Sequence, residues 1–376
     1  MLTIEHNTIK TYFGTLPDPR INRQKRHKLI DIITITLCAV LSGAETWTDI
    51  AEFGKTKKEW FSDFLELANG IPSHDTFGRV FSKLDTETFH QSFIAWIQAG
   101  NHVVEGQVIA IDGKCLRHSY DKSAGKSAIY MVSAWASENK IVLGQVKTEE
   151  KSNEITAIPK LLDALEIKNS TVTIDAAGCQ RKIASKIIEK GGDYTLAVKG
   201  NQGHLRDYIE DLFTTAMKND FQDVAYDYYE STDAGHGRVE VRRHWTVSEL
   251  SGFSRKSDWK GLTSIGRVES ERHINDKITT ERRYYINSQN DGAEPFSNRV
   301  RAHWGVENEL HWCLDVGFRE DECRVRKGHA SENLAVIRHI ALNLLKKNKS
   351  CKGGIKAKRL KAGWDDTYRE LILSSV

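Results

Sequence analysis

The sequence predicts an α/β protein: a sheet-centred core carrying a β-rich insertion, preceded by an all-helical N-terminal domain. Three observations predict it. Between 29 and 100, apolar positions recur at helical spacing and capping signals punctuate them. From 108 the period changes to strand-like runs that alternate with helical ones. Between 202 and 295 that alternation gives way to several strand-like runs in succession, and helical patterning returns from 297.

In chain order, "LIDIITITLCAVLSGA" at 29–44 reads as a core helix; it contains Asp31 and is too short to span a bilayer. "IPSHDTFGRVFSKL" at 71–84 reads as a helix opened by Pro72 and Ser73, with Phe77, Val80, Phe81 and Leu84 as its apolar face. Strands follow at 107–112, 127–137 and 140–148, then a helix at 154–166, a strand at 170–175, a helix at 181–191 and a strand at 193–200. The order is βββαβαβ. The stretch 202–295 begins with a polar helix near 203–218 and continues as strands at 239–250, 262–274 and 280–288, predicting an inserted, largely antiparallel module. From 297 the pattern predicts a long helix, further helices to about 348, and a basic, glycine-containing tail.

The 376 residues suffice for two or three compact units. Six widely spaced cysteines form neither a C-x-x-C pair nor a short Cys/His ligand pattern, which argues against a zinc site or a disulfide framework and fits a reducing cytoplasm. The N-terminus lacks the basic and apolar regions of a signal peptide. "GKS" at 125–127 is not a P-loop, because the required upstream glycine position holds Tyr120. The net charge of +3 is unevenly spread: residues 321–362 hold twelve Lys/Arg against three acids, a local +9 that leaves −6 elsewhere. "PRINRQKRHK" at 19–28 adds five basic residues and no acid. Either run alone suits a solvated surface, whereas the two together point to nucleic acid.

Two strand-like runs, "VIAID" and "TVTID", are apolar up to a terminal carboxylate, Asp112 and Asp175. On adjacent parallel strands these carboxylates would meet and repel unless a cation lay between them. Carboxylate oxygens with phosphate and water suit Mg²⁺, which rarely takes an all-protein cage. In 297–315, His303, Glu307, His311 and Asp315 fall at i, i+4 spacing beside an apolar face, which makes Glu307 the candidate third acid.

With these acids in this order, the chain resembles the RNase H-like DDE transposases and retroviral integrases. The intervals are 63 residues from Asp112 to Asp175 and 132 from Asp175 to Glu307. Residues 202–295 account for the longer one, and similar bacterial insertion-sequence transposases carry a β-rich insertion there. More specifically, "LPDPR", "IPSHDTFGRVF", "AIDGK", "TIDAAGCQ", "LAVKGNQ", "HGRVEVR", "HWGVENELHWCLDVGFRED" and "KAKRLKAGWDDTYRELIL" resemble the H-repeat-associated transposases of bacterial insertion elements. These stretches run from residue 16 to 373.

The resemblance implies two-metal phosphoryl transfer with Mg²⁺, or Mn²⁺ in its place, Asp112 bridging both ions and Asp175 and Glu307 each holding one. It implies double-stranded DNA as partner, both the element's terminal repeats and the target, a homodimer in the DNA complex, no membrane, and a place in the cytoplasm on the nucleoid. The divisions expected are a helical, DNA-end-binding domain at 1–100, the first part of the core at 101–201, the insertion at 202–295, the second part of the core with the glutamate helix at 296–348, and a basic tail at 349–376.

Lys199, Asn201 and Gln202, after the last core strand, are candidates to position the phosphate. The wider class places tyrosine and arginine before the helix glutamate and lysine after it; here those offsets hold Val300, His303 and Leu314, so Arg299, Arg301 and His303 are substitutes by position only. Lys356, Lys358, Arg359 and Lys361 are expected to hold DNA without regard to sequence. The alternatives are an inactive DNA-binding relic of a mobile element and a nuclease of the same fold that transfers no strand.

Overall fold

The computed structural model describes residues 7–100, 104–120, 125–148, 154–235, 237–275 and 277–374. Six helices come first: α1 (Asn7–Phe13), α2 (Leu29–Leu41), α3 (Trp47–Thr56), α4 (Lys58–Ser62), α5 (His74–Lys83) and α6 (Thr86–Gly100). Thr46 and Asp49 form a reciprocal capping box at the start of α3, so two otherwise unpaired backbone N–H groups are satisfied. Helix α5 buries Phe77, Val80 and Phe81 as its apolar spacing predicts.

The core elements are β1 (Val108–Leu116), β2 (Ile129–Ala136), β3 (Ile141–Lys147), α7 (Glu154–Ala164), β4 (Thr171–Ile174), α8 (Arg181–Glu189) and β5 (Asp193–Val198). Next come α9 (Gly203–Lys218), β6 (Tyr226–Gly235), β7 (Arg238–Val247), β8 (Ser264–Ile274) and β9 (Lys277–Asn287). Among the described residues the nine strands form one sheet in the order β3-β2-β1-β4-β5-β9-β8-β7-β6. The β1–β4 and β4–β5 pairs are parallel, and β9 runs antiparallel to β5. The inserted strands therefore extend the core sheet. Strand β9 covers the edge that β5 would otherwise leave with unpaired backbone groups.

Beyond the sheet lie α10 (Ala293–His303), two π-helical turns (Val306–His311 and Cys313–Gly317), α11 (Ala330–Lys347), α12 (Ile355–Trp364) and α13 (Asp366–Leu373). The sequence predicts one regular helix from 297; the π turns correct this. The wider turns change the helix geometry, yet His303, Glu307, His311 and Asp315 still reach β4 and β1: His303 meets Thr173, the charge of Glu307 reaches Asp112, His311 faces Asp112 and Asp315 pairs with Lys114.

Residues 349–374 also depart from expectation. Helices α12 and α13 form where a basic tail is predicted, and α12 packs on α2 and α11. Lys358 Nζ donates to the carbonyls of Leu345 and Asn348 at 2.8 and 2.6 Å. Arg359 donates to the carbonyls of Val40, Ala44 and Gly317. Both side chains are buried. Their charges cap carbonyls inside the fold, which corrects their assignment to DNA; of the four, Lys356 is exposed, and Lys361 lies over the Tyr368 ring. Among the described residues no helix is long and apolar enough to cross a membrane.

Candidate active site

Strands β1 and β4 run side by side from Val108 with Thr171 to Ile111 with Ile174. Asp112 and Asp175 come next on each strand. Strand β1 does not end at its acid, as the sequence suggests; it continues to Leu116 against β2. Strand β4 leaves the sheet because the Asp175 side chain turns the chain: Oδ1 accepts from the N–H groups of Ala177 and Gly178 at 3.0 and 3.4 Å. Asn201 Nδ2 donates to the Ala176 carbonyl at 2.7 Å, and Gln202 Nε2 to that of Cys179 at 3.0 Å. The loop after β5 thus clamps the turn that carries Asp175. Lys199, beside it, is exposed.

Burial pushes the Asp112 carboxyl up to about 7, and the nearby charges of Asp175, Glu154 and Glu307 add to the shift against an opposing hydrogen bond from Gly113. Glu307 is exposed on the first π turn, yet its charge reaches Asp112. Glu154, which the sequence reasoning missed, opens α7 with its carboxylate over Gly113; a Cβ there would stand 2.0 Å from Glu154 Oε1. Burial, then Asp175, raises its carboxyl too. An acid in the first turn of a helix is so ordinary that it carries no sequence signal. His311 Nδ1 stands 3.5 Å from Asp112 Oδ2, and burial lowers the imidazole to about 4, so it faces Asp112 as a neutral ring at pH 7.

These hard oxygen donors, with their mutual repulsion, suit a divalent cation such as Mg²⁺. Among the described residues no three His, Cys, Asp or Glu side chains gather into one coordination sphere.

A buried charge network lies under the site. Lys114, two residues beyond Asp112, donates to Glu320 at 2.9 Å and also to Asp315. Arg338 lies 3.6 Å from the same Glu320 carboxylate. Burial alone would raise Glu320; the Lys114 and Arg338 charges outweigh it and hold the carboxyl at about 2. The π-helical segment is thereby tied to β1.

The remaining positional candidates separate. Arg299 is buried, in a bidentate pair with Asp291 at 2.6 and 2.8 Å and bonded to Thr195, so it braces the fold, and its assignment to phosphate is corrected. His303 Nδ1 lies 3.0 Å from the Thr173 hydroxyl on β4, and burial lowers its pKa to about 4 against the opposing charge of Asp175, so the ring is neutral at pH 7 and is no cationic phosphate contact. Arg301 is exposed and, with Arg238, Arg242, Arg272 and Arg283, lines a cavity of about 240 Å³ that also holds Glu307.

Fold and site together describe a protein with strand-borne carboxylates, and comparison with known proteins gives its family. The chain belongs to the DDE transposases: residues 105–344 match the family described as "Transposase DDE domain", and residues 10–97 match the "DDE_Tnp_1-associated" family. Within that class it is similar to the H repeat-associated proteins. It is 44% identical to "Putative transposase YncI" of Escherichia coli O157:H7, over 97% of this chain and 94% of that protein. It is 43% identical to "H repeat-associated putative transposase YhhI" of Escherichia coli K12, over 99% of both chains, and equally so to "Putative protein YbfL" of the same strain.

Proposed function

We propose that this protein binds the ends of a bacterial insertion element and catalyses divalent-metal-dependent cleavage and strand transfer there, with Asp112, Asp175 and Glu307 as its acids. The observation that carries this is the placement of Asp112 and Asp175 immediately beyond the last parallel pair of β1 and β4, with the Asp112 carboxyl raised by burial first and by the acids around it second. The strand order β3-β2-β1-β4-β5, antiparallel at β1–β2 and β2–β3 and parallel at β1–β4 and β4–β5, supports an RNase H-like core.

Asp112 and Asp175 would share one Mg²⁺ and Glu307 would help to hold a second; bound there, the ions supply charge stabilisation to the attacking and leaving oxygens of an in-line displacement. The chain's own residues prepare the site. The clamp from Asn201 and Gln202 fixes the turn behind Asp175. Burial of Asp112 raises the cost of its uncompensated charge and so favours cation binding. His311, neutral, can accept or donate one hydrogen bond to the Asp112 carboxyl without competing as a charge. The reaction proposed is attack of water at the element's end to free a 3′-hydroxyl, followed by attack of that hydroxyl on target DNA.

The test is incubation of the purified protein with a labelled duplex of its element's end. Cleavage with Mg²⁺ or Mn²⁺, and none with Ca²⁺ or excess chelator, is expected. Cleavage that persists in chelator contradicts the proposal, and cleavage with no joining to target under any metal favours a nuclease.

A further inference from the structure

A cavity of about 940 Å³ lies away from the acids, between the N-terminal helices and the loop 319–328. Trp47 of α3 and Arg79 of α5 line one side; Arg324, Arg326 and Lys327 line the other. A second cavity, of about 660 Å³, shares Lys126, Arg326 and Gly328 with the first and reaches Glu154 and Asp175. The two form one trough leading from α5 to the acids.

Its charge is basic where the acids are absent. The first cavity is lined by seven Lys/Arg against three carboxylates, Glu45, Asp75 and Glu322. Arg326 stands at the junction: its Nε donates to the His118 carbonyl at 3.0 Å and its guanidinium lies 5.0 Å from the Tyr120 ring centroid. Neither partner neutralises it. The loop is seated firmly on α5, because Gly328, at φ +54°, presses against the Ser82 carbonyl, where a Cβ would meet oxygen at 2.3 Å, and the His329 N–H donates to that same oxygen at 3.1 Å. Of the basic cluster that the sequence shows at 321–362, Arg324, Arg326 and Lys327 face this trough, Arg338 lines it from the buried side where it pairs with Glu320, and Lys358 and Arg359 are buried elsewhere in the fold.

We propose that the trough carries the phosphodiester backbone of the DNA strand whose scissile phosphate reaches the acids, with Arg324, Arg326 and Lys327 as phosphate contacts. This rests on the DNA reading given above and adds the route by which an end bound at the N-terminal helices enters the site. Guanidinium forks suit phosphate oxygens, and contacts to phosphate position a duplex without reading its sequence.

The experiment uses the full chain without divalent metal. Wild type, the double variant Arg324→Gln/Lys327→Gln and a control of equal charge change, Arg255→Gln/Lys260→Gln, are titrated against an element-end duplex and an unrelated duplex over a salt series. The trough variant should bind both duplexes more weakly by similar factors, with the log–log salt slope flatter by about two, while the control matches wild type. In parallel, wild type is cross-linked to an element-end duplex carrying a photoreactive phosphate beside the cleavage position, and the label should fall on the peptide spanning 319–328. Wild-type binding with an unchanged slope in the trough variant, or a label elsewhere in the chain, overturns the trough alone. Failure of wild type to bind either duplex overturns the trough and the DNA reading together. A trough variant that does not fold leaves the cross-link to decide.

Discussion

Ile111 and Ile174 form the last parallel pair between β1 and β4, and the next residue on each strand is an aspartate. A sheet that buries a carboxylate and brings a second one out beside it works against itself unless a cation joins them, and the shift of Asp112 to about 7, from burial first and the Asp175 charge second, records that conflict.

The conflict predicts a pH dependence for the metal-free protein. Asp112 binds its proton more tightly in the fold, at about 7, than at its ordinary 3.8. Between those values the native state holds more protons than the unfolded one, so stability from this group falls as pH rises and the full penalty is present above about 7. Asp112→Asn removes the penalty. Thermal melts without metal should show variant and wild type alike near pH 4 and the variant more stable near pH 7.5, by ~4 kcal/mol at most. A difference independent of pH contradicts the assignment.

The Lys114–Glu320 pair should matter to folding more than a surface ion pair. Glu320→Gln leaves the Lys114 ammonium without the partner 2.9 Å away, in a site where both are buried, and should cost about 3–5 kcal/mol in denaturant unfolding.

Arg359 and Lys356 should separate cleanly. Arg359→Ala strips three carbonyls of their donor and should destabilise the fold by about 2 kcal/mol or more, while the salt slope of DNA binding by the folded protein stays as in wild type. Lys356→Gln, at an exposed position, should change stability by less than about 0.5 kcal/mol. Paired melting and binding curves check both.

Asn201 is expected to act through Asp175. Losing the 2.7 Å bond to the Ala176 carbonyl in Asn201→Ala should cost about 1 kcal/mol of stability and slow cleavage while leaving affinity for the element end unchanged. A loss of affinity with an unchanged cleavage rate would instead make Asn201 a direct DNA contact.

Much of this was legible in the sequence, for reasons that particular residues make plain. The apolar runs before Asp112 and Asp175 could only be buried strands, so the two acids stood out. Helix α5 was visible because Phe77, Val80 and Phe81 recur at its period. The π turns are not visible, because "VENELH" has the same apolar spacing whether the turn is regular or wide, but the stripe from His303 to Asp315 does mark the side that meets β4 and β1. Lys358 and Arg359 looked solvated because composition does not reveal the carbonyls that receive them. Glu154 joined the site only through a contact across Gly113, 41 positions earlier.

The central claim, that Asp112, Asp175 and Glu307 perform the chemistry, is tested most directly by assaying cleavage, joining and binding separately for wild type, Asp112→Asn, Asp175→Asn and Glu307→Gln on a labelled element-end duplex with Mg²⁺. Each variant should bind the duplex as tightly as wild type or slightly more so, because phosphate contacts elsewhere supply most of the affinity. Each should neither cut nor join, and pairs of substitutions should add little to single ones, since groups acting as one unit are non-additive. Cleavage at the wild-type rate by any one of the three would contradict the role given to that acid, and by Asp112→Asn would contradict the account as a whole.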